Sequence, residues 1–257
     1  MGLRLLRVQT GLLGVEMTDL SQDPYKLAEI ASRTPEFLYG QRSKPFGWEA
    51  RYFVEWATIV HMMRTVGVPK GGSIIDVGCG AGWTSLFLAE SGYQVTGYDL
   101  VPANIDFACQ RAERWGSSAR FEVADFEMPF DGPLVDAALV FDALHHSSRQ
   151  SWVLSAIARR VRPGGWLLIG EPTWLHSFSP DARKISGELG WQERGLRLRQ
   201  LKRDLRMAGF DSFRRFHQPT QPYEGFGGFF WQLTRLVAGH VLVAPQTHYW
   251  LAARRKP

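Results

Sequence analysis

The alternation that begins near residue 72 constrains this chain more than any other feature. Short apolar runs of β type ("SIIDVG", "QVTGYDL", "ARFEVAD", "VDAALVFDAL", "GWLLIGEP") are separated by stretches with helical spacing. Helices are predicted at Trp83–Ser91, Pro102–Trp115 and Gln150–Val161. Strands that alternate with helices bury both faces only as a mostly parallel sheet covered on each side. "FRRFHQ" and "HYWLAARR" read as two further strands, so the expected fold is α/β with seven strands, the last antiparallel.

Before the sheet, residues 18–70 read as a helical cover. "DPYKLAEIASRTPEFL" and "WEARYFVEWATIVHMMRTVGV" carry apolar residues at helical spacing, and Asp23 before Pro24 marks a helix start. Residues 1–17 resemble a signal peptide only weakly, because Arg4, Arg7 and Gln9 break the apolar run. They are expected to be a flexible tail, with Met17 an alternative start. The core is expected at 71–257, with insertions at 172–193 and 218–246. The 257 residues suit one large domain.

A net charge of +5 permits anionic partners without demanding them. The two cysteines, Cys79 and Cys109, form neither a disulfide framework nor a zinc spacing, so a reducing, cytoplasmic setting is expected.

The glycine-rich stretch "IIDVGCGAGW" follows a strand and opens a helix. Glycines there allow a tight turn and close approach of a ligand to the backbone. The spacing Gly78, Gly80, Gly82 is GxGxG with an acid, Asp76, two residues before the first glycine. A dinucleotide site favours GxGxxG with an apolar residue at that place. Asp99 ends the second strand 21 residues after Gly78, where a carboxylate can accept ribose hydroxyl hydrogens. Asp125 follows the third strand and is placed to reach an adenine amino group.

"DVGCGAG", "YDL", "VADFE" and "RPGGWLLI" resemble, in order, four motifs of class I S-adenosylmethionine (SAM)-dependent methyltransferases. The resemblance covers about residues 72–171 and implies a Rossmann-like sheet and SAM as cofactor. It implies that Asp76 orients the methionine end, that Gly78 and Gly80 pass beneath the cofactor, that Asp99 holds the ribose and that Asp125 with Phe126 flanks the adenine. Cys79, Gly82, Trp83, Leu100 and Phe141 complete the expected cofactor set.

Methyl transfer asks the protein mainly to position a nucleophile. A hydroxyl acceptor also needs a base near neutral pKa, a task that suits histidine. "FDALHHSSR" places His145 and His146 after the fourth strand, at the sheet end where ligands bind, and Glu171 ends the neighbouring strand. "LHH" with a strand-end acid resembles natural-product sugar O-methyltransferases, although here the acid is Glu rather than Asp. The expected catalytic set is His145 or His146 with Glu171 in support. In other branches of the superfamily such histidines only pack or cap a helix.

Weaker candidates are His176, His217, Tyr25, Tyr39 and Trp48, with Arg42, Lys44 and Arg51 able to meet a phosphate or carboxylate. No [DNS]PP[YF] motif follows strand four, which lowers a nucleic-acid substrate. Asp142 and Glu171 alone do not make a metal site, so none is expected. "RGLRLRQLKRDLRMAGF" reads as a basic helix, 194–208, docked through Leu198, Leu201 and Leu205. The aromatic insertion reads as a substrate wall or a homodimer face, with shallow membrane or lipid contact open. The leading expectation is transfer from SAM to a hydroxyl of a sugar-containing or hydrophobic secondary metabolite or glycan. C-methylation of a lipid or quinone ring, a non-catalytic SAM-binding scaffold and a nicotinamide oxidoreductase are the alternatives.

Overall fold

The computed structural model describes residues 23–34, 41, 44–46, 51–218, 225–241 and 248–257. Among the described residues, two helices precede the sheet: α1 (Pro24–Ala31) and α2 (Arg51–Val66). The start of α1 follows from its first two residues. Asp23 is the N-cap and its carboxylate accepts from the Tyr25 amide at 2.9 Å, while Pro24 needs no partner for the amide it lacks.

The alternating core then runs β1 (Ser73–Val77), α3 (Trp83–Glu90), β2 (Gln94–Asp99), α4 (Pro102–Trp115), β3 (Arg120–Val123) and β4 (Val135–Phe141). It continues with α5 (Gln150–Arg160), β5 (Val161–Pro172), α6 (Pro180–Leu189), α7 (Leu198–Met207), β6 (Phe210–Phe216), α8 (Gly225–Val241) and β7 (His248–Arg255). The seven strands lie in the order β3-β2-β1-β4-β5-β7-β6. All pairs are parallel except those of β7, which lies antiparallel between β5 and β6. The expected fold class is observed.

Successive strand residues point to opposite faces, and the sheet is apolar on both. Ile75, Val77, Ala138, Val140, Leu167, Ile169, Leu251 and Ala253 meet Val153, Leu154 and Ile157 of α5 and Leu201 and Leu205 of α7. Their neighbours Ile74, Ala137, Leu139, Leu168, Trp250 and Ala252 face the other way, against Ile59, Met62 and Met63 of α2.

Two segments differ from expectation. The stretch 172–193 is not loose: it carries a 3₁₀ turn at Trp174–Phe178 and the helix α6. Ser179 caps α6 by accepting from the Ala182 amide, Pro180 opens it, and Gly190 closes it in the left-handed conformation. The basic helix starts at Leu198, later than expected, because the preceding residues are held in extended form: Leu196 bridges Thr173 and donates its amide to the Pro172 carbonyl at 3.0 Å. The described part of the aromatic insertion is α8, with Phe226, Phe229, Phe230 and Trp231 exposed. Residues 1–17, Tyr39, Arg42 and Trp48 lie outside the described residues.

Candidate functional site

The carboxyl ends of β1, β2, β4 and β5 open on a cavity of 990 Å³, large enough for a cofactor and a small second molecule. Its floor begins where β1 ends. The Gly78 and Cys79 amides both donate to the Tyr98 carbonyl of β2, at 2.8 and 3.0 Å, turning the chain back on itself. Gly78 has φ +75°, and a β-carbon there would collide with that of Ala143. Only glycine satisfies both demands. Gly82 caps α3 with φ +77°; a β-carbon would meet Phe121 and Ala108 at 2.8–2.9 Å, so its task is packing beneath the loop.

Asp99 is held rigidly at the cavity wall. One carboxylate oxygen accepts from the Val101 amide and from Asn104 Nδ2, each at 2.9 Å, and the other accepts from the Gly80 amide at 2.8 Å. A carboxylate has about four lone-pair sites, so roughly one remains for a ligand hydroxyl. Burial, and the charge of nearby Glu29 on α1, raise its pKa. Glu29 lines the same cavity and was not among the sequence candidates. Asp76 is fully enclosed, and its Oδ2 accepts from Thr84 Oγ1 and Ser85 Oγ, each at 2.6 Å. Burial pushes Asp76 up to about 6 against the pull of those two hydroxyls. Burial also pushes the Cys79 thiol well up, leaving it a poor nucleophile.

Of the expected cofactor set, Gly78, Cys79, Gly80, Trp83, Asp99, Leu100, Phe126 and Phe141 line the cavity. Asp76, Gly82 and Asp125 stand behind or beside its wall. Asp125 Oδ2 accepts from Lys26 Nζ of α1 at 2.8 Å, and the same ammonium lies 2.8 Å from Glu127, so α1 is pinned beside the ends of β2 and β3.

The opposite end is built around the 3₁₀ turn Leu144–His146. Glu171, wholly buried at the end of β5, holds this turn in place. Its Oε1 accepts from the Ala143 and Leu144 amides, each at 2.8 Å, and its Oε2 contacts His145 Nδ1 at 2.9 Å. The longer glutamate therefore reaches the histidine, but from behind the cavity wall. On its far side, His145 Nε2 lies 3.4 Å from Glu193 Oε2. Burial would lower the His145 pKa; the two glutamates overcome it and raise the pKa well above the usual histidine range.

His146 is different. Its Nδ1 lies 3.1 Å from the Gln192 carbonyl, which can only accept, so Nδ1 carries the hydrogen and Nε2 is the bare nitrogen. Burial and the charge on His145 push His146 down to about 4.

Glu193 was invisible to sequence reasoning. It sits in "WQERG", and burial alone would raise its pKa; His145 and His176 reverse this and hold it down at about 2. Its neighbours fix the segment: Gln192 Nε2 donates to the Ser147 carbonyl at 2.6 Å, and Trp191 Nε1 donates to Ser32 Oγ of α1 at 2.9 Å. His176 reaches Glu193 Oε2 with Nε2 at 2.8 Å, and His145, His176 and Glu193 bring one ligand atom each within 4.8 Å. Lys44 also lines the cavity. Tyr25 is exposed, the Arg51 side chain lies outside the described atoms, and His217 follows β6 away from the cavity lining.

Comparison with known proteins places this geometry. Residues 75–169 match a family model described as methyltransferase domain. Over 167 residues the chain is 30% identical to a ubiquinone biosynthesis O-methyltransferase of Methylocella silvestris, covering 61% of this chain and 64% of that protein. Over 108 residues it is 31% identical to a demethylmenaquinone methyltransferase of Tropheryma whipplei, covering 42% and 45%. The chain thus spans less than two thirds of these relatives. Its fold superposes on the magnesium protoporphyrin IX methyltransferase of Synechocystis, solved with bound S-adenosylhomocysteine, at TM-score 0.63 and 18% identity, covering 91% of this chain and all of that one.

Proposed function

We propose that this chain, whose residues 75–169 form a class I SAM-dependent methyltransferase domain, methylates a hydroxyl of a hydrophobic or sugar-containing small molecule held beside His145 and His146. The observation that carries the reading is one continuous cavity with the Gly78–Gly80 loop and Asp99 at one end and the two histidines at the other. The chain's residues fit the cofactor. The β-position of Gly80 faces open space with no atom within 4 Å, so a ligand can lie against the backbone there. Asp99 keeps acceptor capacity at the wall, and Leu100 and Phe126 give apolar surface for a base. When bound, SAM supplies a methyl group already activated on a sulfonium.

The protein's part is then orientation. His146, donating through Nδ1 to the Gln192 carbonyl, offers Nε2 to the hydrogen of an acceptor hydroxyl, as an orienting acceptor whose pKa of about 4 makes it a weaker base than the near-neutral one expected. Glu171 fixes the turn that carries both rings. Trp191 ties the segment Trp191–Glu193 to α1 along one side of the cavity.

A second reading, C-methylation of a quinone or lipid ring, draws support from the quinone-pathway relatives; there the histidines only shape the pocket. Incubation with methyl-labelled SAM and phenolic, quinol and glycoside acceptors separates the two. The O-transfer reading expects a methyl ether by NMR, and a ring-carbon methyl would replace it with the second reading. His146→Ala is expected to lower kcat by about 10²–10⁴-fold with S-adenosylhomocysteine affinity unchanged. Thermal stabilisation by S-adenosylhomocysteine and not by NAD is the prior check, and its absence would sink both readings.

A further inference from the structure

We infer that His145, His176 and Glu193 form a binding site for one divalent first-row transition-metal ion, zinc by donor set, at the acceptor end of the cavity. The three groups come from separate parts of the chain: the turn after β4, the 3₁₀ turn after β5, and the segment between α6 and α7. They converge with one ligand atom each inside 4.8 Å.

The separations bear on what joins them. His145 Nε2 stands 3.4 Å from Glu193 Oε2. A charge-assisted hydrogen bond is shorter, about 2.7–2.9 Å. Two ligands bound at about 2.0–2.1 Å in tetrahedral geometry are held roughly 3.3–3.5 Å apart. The His176 Nε2–Glu193 Oε2 pair, at 2.8 Å, would open by about half an ångström to admit the ion.

The surroundings complete the pattern. A ligating histidine normally donates its other ring nitrogen to a carboxylate, which fixes the tautomer and leaves the ligating nitrogen bare. Glu171 does this for His145 at 2.9 Å, and is itself anchored by two backbone amides. His145 Nε2 in turn faces the Glu193 carboxylate, and the ion would sit between them. The side chains of His145 and Glu193 are each 3% exposed, and all three residues line the cavity. Three protein ligands with one position open to a cavity is the arrangement of a working rather than a purely structural zinc site. Two imidazoles and one carboxylate favour such ions over magnesium or calcium, which take oxygen ligands.

The inference is independent of which acceptor is methylated, and its test does not use activity. Untagged protein, freed of metal with a chelator, is titrated with Co²⁺ followed by visible absorption and with Zn²⁺ by calorimetry. The expected result is one equivalent bound, with the intense ligand-field bands of a four-coordinate site. Glu193→Gln and His176→Ala should each weaken binding by at least 100-fold, and Glu171→Gln by about 10–100-fold. His61→Ala, outside the cluster, should leave it unchanged. His176 is the more exposed ligand, at 24% of its side chain, so its variant decides the matter if Glu193→Gln fails to fold by circular dichroism. Absence of stoichiometric binding, or binding that His176→Ala leaves intact, overturns the inference and leaves a proton-sharing cluster.

Discussion

The two ends of the cavity are built from different kinds of chain. The end at the glycine loop is nearly contiguous: Gly78, Cys79, Gly80 and Ala81 lie in one loop, and Asp99 and Asn104 lie one strand and one turn further on. Backbone amides do most of its work, and the carboxylate is locked by two of them. The end at the histidines gathers His145, Glu171, His176 and Glu193 from four segments, joined mainly through side chains, with the amides of the Leu144–His146 turn donating to Glu171. A site made of backbone tolerates little change in shape, whereas one made of side chains is free to change its chemistry. Superfamilies that keep one cofactor and vary the acceptor need this division.

Four substitutions sharpen the contrast, in falling order of effect. Glu171→Ala removes the acceptor of three buried amides and the partner of a buried imidazole. Loss of about 5 kcal/mol or more in urea unfolding is expected; a loss below about 1 kcal/mol would mean the turn holds itself. Gly78→Ala forces a left-handed residue and a collision with Ala143, for about 2–5 kcal/mol. Adding Ala143→Gly should restore the packing share but not the backbone share, and full rescue would show that φ matters little.

Asp76→Asn acts through pH. Asp76 ionises near 6 when folded, above the roughly 3.9 of an unfolded chain. Its protonation therefore favours folding fully below about pH 4, and that contribution is lost as pH rises through 6. The variant, which carries no charge, should exceed the parent in stability above pH 6 by up to about 3 kcal/mol, with the gap closing toward pH 4. A gap independent of pH would place the effect in the Thr84 and Ser85 hydrogen bonds instead. Lys26→Ala is the mildest. Its ion pairs are largely buried and Glu127 would lose its cation, so about 1–2 kcal/mol is expected, together with faster proteolysis within α1.

The same division explains what could be read from the sequence. Local signals sufficed for α1, where Asp23 and Pro24 state the start, and for α4, where Pro102 opens the helix and Gly116 closes it at φ +62°. The loop motif and Asp99 were legible for the same reason, since each demand falls on neighbouring residues. Helix α6 carries equally good end signals in Ser179, Pro180 and Gly190, but only Ala182 is buried, so no apolar stripe announced it. Glu193 had no signal. A lone glutamate between Gln192 and Arg194 reads as solvated, and its burial depends on Trp191 meeting α1 and Gln192 meeting Ser147. Glu171 was legible by position at a strand end, but its direction was not. Whether it faces the cavity or the turn behind it is decided by the amides of Ala143 and Leu144, which exist as unpaired donors only once the turn is made.

The place of β7 bears on how the molecule comes into being. It follows β6 in the chain yet lies between β6 and β5 in the sheet. As the ribosome delivers the polypeptide, β5 emerges complete with Leu167, Leu168 and Ile169, and one of its edges waits until residue 255 has been made. Through that interval the nascent chain offers an open, apolar strand to any neighbour. β7, made after β6, is therefore the strand that joins β5 and β6 into one sheet.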